Sequence, residues 1–128
     1  MAQVAQMAGV FQRLRDIMRQ FEGQLVVKAN NPENYYLDTS SIGKNKKPVF
    51  FGAVQVKKNY VSYHLMPVYV FPELLEGMSD KLAKRMPGKA CFNFTSVDDE
   101  AFHELARLTE RSFEHFRNVG YVKVPESV

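Results

Sequence analysis

An imidazole beside a thiol is the least a chain needs to build an activated cysteine nucleophile, and this one carries a single cysteine, Cys91, with three histidines, among them His64. Cys91 falls in a short strand-like run with no helix N-terminus beneath it to stabilise a thiolate, so no catalytic residue is assigned. A second grouping, Asp98, Asp99 and Glu100 with His103, offers hard carboxylate oxygens and one imidazole to a cation. The same acids would sit in a first helical turn and offset the positive end of its dipole, which is a structural use for them. No metal ligand and no cofactor are assigned. Lys44, Lys46, Lys47, Lys57 and Lys58, with Phe51 and Tyr60 close by, outline a basic stacking surface of the kind that binds single-stranded nucleic acid. Lysines on loops and hairpin tips also keep sheet edges from pairing, so the Lys44–Lys58 block has a structural reading beside the functional one. Gly43-Lys44 lacks the upstream glycine and following Ser or Thr of a phosphate-binding loop.

The elements that position these residues follow from length and pattern. At 128 residues the chain is one domain, residues 1–128, with residues 118–128 as a candidate flexible tail. Hydrophobic residues at 45% and charged residues at 24% describe an ordinary globular composition and exclude a disordered or low-complexity chain. The net charge of +3 is local, because residues 39–72 hold five lysines and no acid, whereas six acids fall between Asp98 and Glu114. One cysteine excludes an internal disulfide and a multi-cysteine zinc site and fits a cytoplasmic setting. Met1 to Val10 lack a basic start followed by an apolar run, and no apolar stretch reaches the roughly 18 residues that span a bilayer, so no membrane partner is expected.

Met7, Val10, Leu14, Ile17 and Phe21, flanked by Phe11 and Met18, form one stripe of an amphipathic helix that Gly23 is expected to end in a left-handed conformation. Short strands are expected over 24–28 and 35–38, then a polar loop over 39–47. Residues 48–56 and 60–66 are β-branched and aromatic, and a two-residue turn at Lys58 and Asn59 pairs Lys57 with Tyr60, Val56 with Val61, Val54 with Tyr63 and Gly52 with Leu65. That register places Phe50, Val54, Val56, Val61, Tyr63 and Leu65 on one face and Phe51, Ala53, Gln55, Lys57, Tyr60, Ser62, His64 and Met66 on the other.

Residues 67–71 read as an apolar connection, and Leu74, Leu75, Met78, Leu82 and Met86 as helical packing broken near Gly77, with Ser79 as a cap. A strand over 90–94 points Phe92 and Phe94 inward and Cys91 and Asn93 outward. Ser96 and Asp99 resemble a capping box, so the last helix is expected from about Val97, with Ala101, Phe102, Leu105, Leu108, Thr109, Phe113 and Phe116 inward and Gly120 as its stop. The order α-β-β-β-β-α-β-α implies an α+β fold: a mostly antiparallel sheet of four to five strands with helices packed on one face. The other face would then carry Tyr36, Phe51, Gln55, Tyr60, Ser62, His64, Cys91 and Asn93, an unusually aromatic set for a solvated surface and the candidate ligand-binding residues.

Phe50-Phe51-Gly52, the run from Val56 to Ser62, Gly88-Lys89 before Cys91 to Phe94, and the helix ending near Arg117 together resemble the YdhG-like domains of unknown function, over about Tyr36 to Arg117. The resemblance implies a small cytoplasmic bacterial α+β domain. Some relatives look similar to frataxin and are described as iron chaperones, which would imply a ridge of surface carboxylates. The first helix departs from that, with Arg13, Arg15 and Arg19 against Asp16 and Glu22. The expected function is a non-enzymatic binding domain whose open aromatic face takes a small molecule, a protein partner or a second copy of itself as a homodimer. A frataxin-like iron chaperone and a nucleic-acid binder are the alternatives.

Overall fold

A computed structural model describes residues 2–42 and 46–121. Helix α1 (Ala2–Arg19) leads through a short 3-10 turn into four strands, β1 (Val26–Asn31), β2 (Asn34–Ile42), β3 (Pro48–Val56) and β4 (Val61–Leu65). Two short helices, α2 (Met66–Val70) and α3 (Asp80–Ala83), cross to β5 (Cys91–Phe94), and α4 (Asp99–Asn118) follows. The five strands form one sheet in the order β1-β2-β3-β4-β5, every neighbouring pair antiparallel. The protein is therefore α+β, as the alternation of helical and strand periods implied. Among the described residues, no helix is long and apolar enough to cross a membrane.

The core lies between one face of the sheet and the paired helices α1 and α4. Met7, Val10, Phe11, Leu14, Ile17 and Met18 from α1 are buried, as are Phe102, Leu105, Leu108, Phe113 and Phe116 from α4. Tyr35 and Leu37 of β2, Val54 of β3, Tyr63 and Leu65 of β4, and Phe92 and Phe94 of β5 meet them from the sheet. The hairpin register is the one expected from the two-residue turn: Val56 opposes Val61, Val54 opposes Tyr63 and Gly52 opposes Leu65. The Lys57 N–H donates to the Tyr60 carbonyl at 2.8 Å and closes the turn.

Several boundaries differ from expectation. The strands expected over 24–28 and 35–38 form instead at Val26–Asn31 and Asn34–Ile42, so β2 takes the first residues of the expected loop. Residues 43–45 of that loop, and 122–128 of the expected tail, lie outside the described residues. Gly23 stays within a 3-10 turn and has no positive φ, whereas Gly77 (81°) and Gly120 (94°) do. Residues 67–71 fall largely within α2, with Pro67 at its start where a missing N–H costs nothing, and Met66, expected on the open face, instead packs against the core. Ser79 caps α3 by accepting from the Leu82 N–H. The cap of α4 is Asp98, not Ser96: its carboxylate accepts from the Ala101 N–H at 3.2 Å.

Gly52 lies where the Met18 side chain of α1 and the backbone of β4 both press on β3. A Cβ at this position would lie 2.8 Å from the His64 carbonyl oxygen and 2.7 Å from Met18 Cε. The methionine tip can move aside, but the neighbouring strand's backbone cannot move without breaking the ladder. Gly52→Ala should therefore cost about 1–3 kcal/mol, the range for an overpacked core. Urea unfolding checks this, and relief by Met18→Ala in the double variant would show that the backbone contact is not the obstacle.

Candidate functional site

The face of the sheet away from α1 and α4 is set by alternation and by one irregularity. Tyr35 and Leu37 point into the core, so Tyr36 and Asp38 point out. In β3 the pairing steps from Leu37–Gly52 to Asp38–Phe50 and skips Phe51. The extra residue is a bulge, which reverses the alternation beyond it. Phe51 thereby turns inward, fully buried, its ring edge-on to Phe113 at 5.9 Å and Phe116 at 6.2 Å. Phe50 turns outward and meets Tyr36 ring to ring, centroids 4.7 Å apart. The assignment of Phe51 to the open face and Phe50 to the core is thus reversed.

The remaining candidates are brought together in part. Gln55 is half-buried and donates to Asn34 Oδ1 at 3.1 Å. Ser62 is buried, and its hydroxyl lies 3.0 Å from His64 Nε2. Cys91 is directly opposite His64 in the ladder, and Asn93 opposite Ser62. The Cys91 thiol donates to Asn93 Oδ1 at 3.4 Å. Tyr60 stands apart at the hairpin end, where it lines a separate recess with Asn93. Residues that sequence reasoning missed are Phe50 and Asn34 on the face and Lys84, Arg85 and Thr95 around the recess. The adjacent Phe50-Phe51 pair was a signal of sorts, since one of two neighbouring phenylalanines in a strand must face away from the core unless a bulge intervenes.

The electrostatics of the face oppose nucleophilic catalysis. Burial raises the Cys91 thiol above its usual pKa, with nearby Lys57 acting weakly the other way. Burial, and then Lys57, lower His64. A neutral imidazole engaged with Ser62 and a protonated thiol engaged with Asn93 do not make an activated pair. The Ser62–His64 contact is equally unsuited to acyl transfer, because the hydroxyl is buried. Burial also raises Asp38, with Lys28 opposing, and raises Tyr36, with Asp38 adding to the effect.

The acids near the start of α4 are engaged by cations. Lys81 lies 3.2 Å from Asp98 and 3.3 Å from Glu100, and Arg13 lies 2.5 Å from Asp99. His103 Nε2 lies 3.2 Å from an Arg107 nitrogen. Among the described residues, no three His, Cys, Asp or Glu side chains gather where they could hold a metal ion. The lysine block is also divided. Lys46 and Lys47 precede β3 and Lys57 and Lys58 follow it, so the nine residues of β3 separate the two groups by roughly 3.3 Å per residue. Lys44 lies outside the described residues.

Compared with known proteins, the chain matches no family model, no curated protein and no solved structure.

Proposed function

We propose that this chain is a non-enzymatic binding domain of YdhG-like type, which presents the uncovered face of its sheet to a small ligand. The observation that carries the reading is the composition of that face. An aromatic pair, Tyr36 and Phe50, shares the face with Gln55, His64, Cys91 and Asn93, all half-buried, with Lys57 and Lys28 as the cations that act on it. The cytoplasm is the compartment that suits a lone thiol. The iron-chaperone alternative is the less favoured reading, because Asp98, Asp99 and Glu100 are engaged by Lys81 and Arg13.

Native mass spectrometry of the protein as purified from cells tests the reading. The wild-type chain is expected to carry a discrete added mass, and the Tyr36→Ala, His64→Ala double variant to lose it while keeping its circular dichroism and melting temperature. A bare wild-type monomer, or an added mass that survives both substitutions, sinks the small-ligand reading. A bare dimer that dissociates in the double variant would replace the ligand by a second copy of the chain.

A further inference from the structure

The recess at the tip of the β3–β4 hairpin has a chemistry of its own. It measures about 400 Å³ and is walled by Asn59 and Tyr60 of the hairpin, Lys84, Arg85 and Pro87 of the segment after α3, and Asn93 of β5. The Asn93 N–H donates to the Arg85 carbonyl at 2.8 Å, which fixes that segment along the edge of β5. No carboxylate lines the recess, and none of the ion pairs among the described residues involves Lys57, Lys58, Lys84 or Arg85. Arg85 adds to the lowering of the Asp98 carboxyl, which already serves Lys81 and the cap of α4. The larger groove beside α4, about 680 Å³, contrasts with it: Glu100, Glu104 and Glu110 face Arg107 and Arg111 there and leave no surplus of positive charge.

We infer that this recess binds the phosphate and base of a nucleotide unit, with Lys84 and Arg85 taking the phosphate and the Tyr60 ring stacking on the base. The inference goes beyond the open-face reading, because the recess is a second site that shares only Asn93 with that face. Two cations lining a recess that holds no carboxylate favour an anion there, and a guanidinium fork matches phosphate oxygens in geometry as well as charge. An aromatic ring beside them favours an anion that carries a planar group. Asn59, Asn93 and Thr95 add donors and acceptors that suit base and ribose edges. Lys57 and Lys58 extend the positive potential along the hairpin, so a free mononucleotide and one residue of a single strand share the same chemistry.

Titration of the isotopically labelled protein, followed by amide chemical shifts, separates the sources. AMP is expected to shift Tyr60, Lys84, Arg85, Asn93 and Thr95, and to bind more tightly than adenosine or inorganic phosphate. A single-stranded oligonucleotide of about eight residues that shifts the same amides at much lower concentration would identify a strand as the source. Lys84→Gln with Arg85→Gln should weaken AMP about tenfold or more, the loss of a charge-assisted bond. Tyr60→Ala should weaken it about tenfold while Tyr60→Phe leaves it unchanged, which keeps the test valid should the double variant melt early. No recess shift with millimolar AMP or with the oligonucleotide overturns the inference, and so does undiminished affinity in the charge variant. Phosphate binding as tightly as AMP would remove the role given to Tyr60. Shifts confined to Tyr36, Gln55 and His64 would overturn the recess yet leave the open-face reading standing, whereas recess binding by a chain purified as a bare monomer would do the reverse.

Discussion

Phe51→Ala should cost the fold about 3–5 kcal/mol, the usual range for truncating a fully buried phenylalanine. Phe50→Ala, one residue away, should cost only about 1 kcal/mol, since its ring is half-buried on the uncovered face and loses one aromatic contact. The contrast depends on the bulge. Without it Phe50 would share a face with Val54, and the costs would be exchanged. With it Phe51 fills the space between β3 and α4, edge-on to Phe113 and Phe116, and its removal opens a cavity that two rigid rings cannot collapse to fill. Urea denaturation of both variants decides the matter, and equal costs would mean that the alternation of β3 is not reversed at this point.

The same residue shows what the sequence made legible and what it did not. Helical stripes were readable because a 3.6-residue period, repeated over α1 and α4, leaves little choice of inward face: Met7 to Met18 and Ala101 to Phe116 all landed where the period placed them. The hairpin register was readable because a two-residue turn fixes every cross-strand pair beyond it. A bulge adds one residue without changing composition, so nothing in Phe50-Phe51-Gly52 announces it. Gly52 is intelligible afterwards as the position where Met18 and the His64 carbonyl leave no room for a Cβ. Capping was legible in kind but not in place, since Ser96, Asp98 and Asp99 can all serve and the helix starts from Asp98.

The candidate site was less legible than the fold, for a geometric reason. Pairs such as Ser62–His64 and Cys91–Asn93 repeat the two-residue period of a strand and could be placed together in advance. The recess joins the hairpin tip to a segment some 25 residues later, and that meeting depends on how α2 and α3 cross the sheet. The lysine block fails for the converse reason, since neighbours in sequence are sent to opposite ends of β3.

Alkaline pH should unfold the protein earlier than its surface charge would suggest, because two phenols are held protonated by the fold. Tyr63 is fully buried, and burial raises its pKa well above the usual phenol value; its hydroxyl stays 2.6 Å from Thr109 Oγ1. Burial raises Tyr35 likewise, and its bond of 2.5 Å to the Glu22 carboxylate adds to the shift, because an ionised phenolate would face a carboxylate. A raised folded-state pKa means that the native chain keeps protons which the unfolded chain releases from about pH 10 upward. The stabilisation is complete below that pH and drains away above it, at about 1.4 kcal/mol per pH unit for each tyrosine. By pH 11 the pair should have cost about 3 kcal/mol, a large share of the 5–15 kcal/mol that holds a typical domain together. Urea midpoints at rising pH measure the loss. Tyr63→Phe should lower the alkaline slope by about 1.4 kcal/mol per pH unit at modest cost, since Thr109 keeps its bond to the Leu105 carbonyl. Tyr35→Phe should lower it by a similar amount, with Arg19 remaining beside Glu22 at 3.8 Å. If the double variant lost stability between pH 10 and 11 as steeply as the wild type, the groups responsible would lie elsewhere, and the two buried phenols would not be the point at which base enters the core.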